Sequence, residues 1–328
     1  LLSMAQLSFS VALCTYNGSR FLSEQLRSVR SQARLPDELV ICDDFSSDST
    51  VDIVEKFALN APFPVRLEVN PTNLGSTKNF ELAISRCGGD VIALSDQDDV
   101  WHKDKLAHME KVLLQSPSVG AVFSDANVVD EQLTPLGYKL WDRYGFTEKR
   151  RRHLVGGRAF QVLLDQNSVT GATLAFRSWL KEWVLPIPAC WMHDAWIAAV
   201  TAAISELSIV EEPLIQYRQH AQNQVGGRKP RLPDFLQAVL RDNSAFYHDY
   251  VNQLGLLRHR LKGCSKLKRL DDLSLLDSRI LHFEARARMP AQRLRRLPLA
   301  LRELWTLRYF RHSNGSISLG KDLFLSRK

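Results

Sequence analysis

The stretch Val91-Ile92-Ala93-Leu94-Ser95-Asp96-Gln97-Asp98-Asp99-Val100-Trp101 decides how this chain is read. Its first four residues form an apolar run of strand length, and three carboxylates follow within four positions, where such a strand ends. Carboxylates this close repel one another. A divalent cation would relieve the repulsion, since Mg²⁺ is commonly held by one or two carboxylates together with substrate phosphates. A solvated acidic turn is the competing reading, and the surrounding pattern has to decide between them.

Upstream, strands and helices alternate. Ser8 to Thr15 reads as a strand, Tyr16-Asn17-Gly18-Ser19 as a turn, and Leu22, Leu26 and Val29 as one face of a helix. Glu38 to Cys42 makes a second strand that ends in Asp43-Asp44, followed by a loop of capping residues and a helix with Val51, Val54 and Phe57 inward. Val65 to Val69 is a third strand, and Ser76 opens a helix burying Phe80, Ala83, Ile84 and Cys87. The fourth strand delivers the acidic cluster, with Trp101 expected to pack beneath it. Such alternation predicts an α/β fold, a mostly parallel sheet with helices on both faces and its ligand beyond the carboxyl ends of the strands. The first turn, T-Y-N-G-S-R, lacks the G-x-G-x-x-G of redox dinucleotide folds, so a metal would have to neutralise a diphosphate instead.

Beyond Trp101 the pattern predicts a helix from Lys103 to Gln115, a strand over Val119 to Ser124, and a mobile loop or an irregular excursion over the active face at 138–165. Asn167 to Arg177 is a turn and strand. Asp194 falls in the first turn of a helix carrying Trp196, Ile197, Val200 and Ile204, where the helix dipole favours a carboxylate. Leu207 to Val210 and Leu214 to Gln219 read as two short strands, the second leading to His220.

Charge divides the chain. Residues 228–328 hold 22 Lys and Arg against 9 Asp and Glu, net +13, while the first 227 residues are net −6. The expected organisation is a domain over 1–227 and a helical basic region over 228–328, with packing stripes at Phe235, Leu236, Val239 and Leu240 and at Val251, Leu254, Leu257 and Leu261. Arg286, Arg288, Arg293, Arg295, Arg296 and Leu304-Trp305 suggest docking on an anionic membrane. The five cysteines form no C-x-x-C pair and read as reduced thiols, and no apolar run reaches the roughly 18 residues of a membrane span. The expected location is cytoplasmic, peripheral on the inner face of the membrane.

Four segments in order, S-V-A-L-C-T-Y-N-G, V-I-C-D-D-F-S-S-D-S-T, L-S-D-Q-D-D-V-W and M-H-D-A-W, resemble the motifs of family 2 glycosyltransferases, inverting enzymes with a GT-A fold, over about residues 7–225. With T-G-A-T and P-L-I-Q-Y-R-Q-H, the match looks most like the rhamnosyltransferase-like branch that builds bacterial surface polysaccharides. The resemblance implies that Thr15, Tyr16, Asn17, Asp43, Asp44 and Asp96 bind the nucleotide-sugar, that Asp98, Asp99 and His220 serve a Mg²⁺ or Mn²⁺ ion, and that Asp194 is the general base. It implies transfer of a sugar from a nucleoside-diphosphate donor, dTDP-rhamnose or a UDP-hexose, to a glycan or lipid-linked acceptor. Thr77-Lys78-Asn79 and Ala195 depart from the family pattern and bear on acceptor geometry. Two other readings are weaker. A sugar nucleotidyltransferase would need a Gly-rich, Arg- or Lys-bearing loop after the first strand, and a nucleic-acid-binding protein has the tail's charge for it but no use for the acidic motif.

Overall fold

β1 (Phe9–Thr15) is buried along its whole length, and the sheet grows outward from it. The computed structural model describes residues 6–221 and 244–325 and falls into two compact units, Leu1–Gly227 and Arg228–Lys328. In the first unit β1 is flanked by β2 (Glu38–Asp43) and β4 (Val91–Ser95), both parallel to it, and β3 (Val65–Val69) adds in parallel outside β2. Buried on both faces, β1, β2 and β4 read as near-continuous apolar runs, while β3 at the sheet edge has no fully buried residue and alternates. β5 (Val100–Trp101), β6 (Val119–Val129), β7 (Pro135–Lys139), β8 (Leu174–Arg177) and β9 (Glu206–Arg218) complete a mixed sheet in the order β3-β2-β1-β4-β8-β6-β9-β5, with β7 paired to β6. The chain runs from β1 to β3 on one side and returns to β4 on the other. Strand order therefore reverses between β1 and β4, and a crevice opens at their carboxyl ends.

α1 (Leu22–Arg30), α2 (Thr50–Ala58), α3 (Ser76–Arg86) and α4 (Lys105–Gln115) cover the sheet. Three of them bury a stripe at helical spacing: Leu22, Leu26 and Val29 on α1, Phe80, Ala83 and Ile84 on α3, Leu106, Met109 and Leu113 on α4, whereas on α2 only Val54 of the expected Val51, Val54 and Phe57 is fully buried. Burial of each such side chain contributes about 1.5–3 kcal/mol. The GT-A-like α/β architecture expected from the sequence is the one found.

Three local expectations change. Residues 140–165 are a packed series of short helices rather than a mobile excursion, anchored by Leu154, Phe160 and the ring cluster Phe123, Trp141 and Phe146, whose centroids lie 5.2–5.9 Å apart. The two short strands around Glu211 are one strand, β9. Its register against β6 shifts between Ser124 and Asp125, which absorbs Glu211 and Glu212 and lets Pro213 sit at an irregularity. β6 continues to Val129 instead of stopping at Ser124.

The second unit is helical. Ser244–Leu261 and Leu270–Ala287 bury Leu254, Leu257, Leu261, Leu276 and Phe283, while the stripe expected at 235–240 lies outside the described residues. Two of the arginines expected on its surface are internal. Arg286 pairs with Asp322 at 2.7 Å, and Arg296 donates to the carbonyls of Pro290, Ala291, Asp322 and Leu325. Among the described residues no helix is long and apolar enough to cross a membrane.

Candidate active site

The carboxyl ends of β1, β2 and β4 meet at a cavity of about 500 Å³ lined by residues of the first unit, including Thr15, Tyr16, Asn17, Asp44, Asp96, Asp98, Asp194 and His220. Three parallel strands in register bring the first six together, and the end of β9 and the start of the helix His193–Ile204 bring the other two.

One wall is the turn after β1. The Thr15 hydroxyl donates to Asp43 (2.6 Å), and Asn17, at φ 46°, accepts from the Ser47 N–H through its side-chain oxygen (2.9 Å). Gln97 reads the Tyr16 peptide at both ends: its oxygen accepts from Tyr16 N (2.9 Å) and its amide donates to Tyr16 O (3.0 Å). A Cβ at position 18 would overlap the Gln97 amide, so this close approach requires Gly18. The pair Asp43-Asp44 divides its work. Asp43 is fully buried and does not line the cavity, accepting from the Ser46 N–H (2.8 Å) and hydroxyl (2.6 Å). Asp44 lines it and brackets the loop before α3 by accepting from Leu74 N (2.7 Å), Gly75 N (2.8 Å) and Asn70 Nδ2 (2.9 Å). The unusual Thr77-Lys78-Asn79 serves as ties: Thr77 donates to Trp191 O (3.0 Å), Lys78 to Ile187 O (2.8 Å), and Asn79 to Cys42 O (2.8 Å).

The acidic cluster splits as well. Asp98 lines the cavity, and its carboxylate lies 2.7 Å from His220 Nε2, whose ring rests 5.1 Å from that of Phe21. Asp99, expected beside it as a metal ligand, is turned inward: it is 1% exposed, accepts from Arg218 N (2.9 Å), and has its second oxygen buried without a partner. Burial, then Asp98 and Asp96, hold its carboxyl well above the usual range. Asp96 is pushed up to about 7, first by burial, then by Asp98 and Asp194, with Lys105 opposing. Asp96 therefore senses both the metal-side carboxylate and the expected base.

Arg218, the arginine of P-L-I-Q-Y-R-Q-H, was given no role by the sequence. Buried at the end of β9, it donates through Nε to Asp98 O (2.7 Å) and reaches Glu131 O and the Glu24 carboxylate, with its guanidinium 4.4 Å from the Phe21 ring centroid. Beneath the loop, Trp101 is 4% exposed and carries Lys105 Nζ 3.4 Å from its ring centroid. Lys105 in turn donates to Ala172 O (2.7 Å). The Gln25 amide, oriented to satisfy every neighbour, donates to Asp99 O (2.7 Å) and accepts from Trp101 Nε1 (3.1 Å).

Asp194 lines the same cavity. One oxygen accepts from Gly171 N (3.0 Å) and the other from Ala195 N (2.6 Å), which fixes the carboxylate over the cavity. His193 stacks on Phe80 with centroids 3.9 Å apart, and neither ring nitrogen has a hydrogen-bond partner. Burial lowers its pKa.

For a cation, Asp98 and His220 present one carboxylate and one imidazole at the crevice; the carboxylate with diphosphate oxygens fits Mg²⁺ or Mn²⁺, and the imidazole favours Mn²⁺ of the two. Among the described residues no three such side chains are gathered into a metal-holding cluster, and Asp99 faces away.

Residues 10–162 match the family model for glycosyl transferase family 2. An uncharacterized glycosyltransferase of Nostoc sp. is 28% identical over 230 residues, covering 66% of each chain. The dTDP-rhamnosyl transferase RfbG of Shigella flexneri is 28% identical over 231 residues, covering 65% of this chain and 73% of its own length. Residues 1–349 of S. aureus TarS, solved with UDP-GlcNAc, superpose with a TM-score of 0.55 at 19% identity over 96% of this chain and 89% of that one, a likeness of fold alone.

Proposed function

This chain belongs to glycosyltransferase family 2, as a nucleotide-sugar glycosyltransferase, and we propose that it is an inverting enzyme using dTDP-rhamnose or a UDP-hexose to extend a glycan or lipid-linked acceptor of a bacterial surface polysaccharide. The observation that carries the proposal is one cavity lined by Asp194, by the Asp98–His220 pair and by the turn Thr15-Tyr16-Asn17. The likeness to a dTDP-rhamnosyl transferase supports the choice of donor.

In this reading Tyr16 and Asn17 hold base and ribose, and Asp96 holds the ribose edge. Asp98 and His220 would hold Mg²⁺ or Mn²⁺, which when bound offsets negative charge on the departing diphosphate. Asp194 accepts the proton of the acceptor hydroxyl as that oxygen attacks the anomeric carbon from the face opposite the diphosphate, a contribution typically of about 10²–10⁴ in rate. The backbone N–H groups of Gly171 and Ala195 keep the carboxylate aimed without a moving part. A single displacement inverts the anomeric centre.

The test is a panel of nucleotide sugars screened for thermal shifts with Mn²⁺ present, followed by product analysis with the best donor. Release of nucleoside diphosphate with an inverted anomeric centre is expected. Pyrophosphate release, or retention of configuration, overturns the reading.

A further inference from the structure

The helix Leu297–Trp305 has two apolar faces. Ala300 (1% exposed) and Leu304 point into the small core with Met289 and Tyr309. On the other side Leu297, Leu301 and Trp305, spaced i, i+4 and i+8, are 42, 58 and 87% exposed, and Leu294 in the preceding turn is 82% exposed. Single exposed apolar residues are ordinary, but a helix face made of them is not. Exposed charge along the segment that carries this ridge has one sign. Residues 285–325 contain two carboxylates, Glu303 and Asp322, and both are buried, within 1% of full burial. Arg286 and Arg296 are consumed inside the unit, while Arg293, Arg295, Arg302 and Arg311 are exposed.

We propose that this outer face is a docking surface for an anionic lipid bilayer: Leu294, Leu297, Leu301 and Trp305 enter the headgroup boundary, and the four exposed arginines meet lipid phosphates. Leucine and tryptophan on one face with arginine beside them is the composition of helices that lie in a membrane interface. A second copy of the chain fits less well, because facing ridges would set arginines against arginines. The net charge of the region lacks the acidic groups such a pairing would need. The proposal stands apart from the transferase reading, since vesicle binding is measured without turnover.

The experiment floats the full chain with phosphatidylcholine vesicles and with vesicles containing about 30% phosphatidylglycerol, at about 0.15 M salt. Binding to the anionic vesicles alone is expected. The L301S/W305S double variant should bind about 100-fold more weakly, and its melting temperature should stay unchanged because both side chains face solvent. Absence of binding to the anionic vesicles overturns the proposal, as does equal binding by the double variant. So does self-association that the double variant abolishes in the absence of vesicle binding, which would assign the ridge to a second copy.

Discussion

Gly18→Ala tests how the nucleotide-side wall is held. The new methyl group would overlap the Gln97 amide, and since that amide ends a flexible side chain, the side chain moves away rather than the backbone. The cost is then the two hydrogen bonds Gln97 makes to the Tyr16 peptide, at about 0.5–1.5 kcal/mol each. A loss of about 1–3 kcal/mol in the ordering of Tyr16 and Asn17 should weaken nucleotide binding about 5- to 150-fold. Gln97→Ala removes the same two bonds and should weaken binding by a similar factor. The double variant should be no worse than the poorer single one, because both substitutions abolish one interaction. Titration calorimetry with the cognate nucleoside diphosphate reads all three. Losses that multiply in the double variant would refute the clamp, and so would a Gly18→Ala protein that binds like wild type.

Other outcomes follow from the same geometry. His220→Ala should weaken Mn²⁺-dependent nucleotide binding about tenfold or more while leaving affinity in chelator unchanged; an equal loss in both conditions would make His220 structural. Arg218→Met should destabilise the first unit by about 3–5 kcal/mol in chemical unfolding, because it strips donors from buried acceptors at Asp98 and Glu131. In the second unit burial, followed by Arg279, His282 and other cations, pushes His312 down to about 4, so the unfolded chain takes up the proton first. His282, lowered mainly by burial, acts in the same direction. Glu303 is lowered as well: burial opposes this, but its bond to His282 and the nearby Arg308 outweigh it, so its stabilisation also goes as pH falls. Stability should be full above about pH 6.5 and fall toward pH 4, with His312 alone worth on the order of 3 kcal/mol. Hydrogen exchange of 270–312, corrected for intrinsic rates, should rise over that window, and His312→Gln should blunt the rise.

Much of the first unit was legible because its parallel strands are buried on both faces. Phe9–Thr15, Glu38–Asp43 and Val91–Ser95 therefore appear as apolar runs whose polar ends mark the crevice. What failed was whatever depends on distant register. β9 looked broken at Glu211-Glu212-Pro213 because the bulge that absorbs these residues exists only against β6. Residues 138–165, with Trp141, Tyr144 and the basic run Lys149 to Arg152, looked like a loop or irregular excursion because their partners, Phe123 among them, come from elsewhere in the chain. Adjacent residues that point opposite ways could not be told apart by composition, so Asp99 was grouped with Asp98 although one faces Arg218 N and the other the cavity. The role of Arg218 was not readable either, since Glu24, Asp98 and Glu131 reach it from three separate segments. Arg286 and Arg296 read as surface charge until Asp322 and the surrounding carbonyls enclosed them.

Asp194 is the group that accepts the proton in the proposed reaction, in the cavity that Asp98 and His220 also line. Turnover and nucleotide affinity of Asp194→Asn, measured on the same preparation, test it directly. The substituted side chain keeps the shape and an oxygen acceptor for the Gly171 N–H, so nucleotide affinity should stay within about twofold while kcat falls by about 10²–10⁴. A variant that turns over within about threefold of wild type would contradict the account.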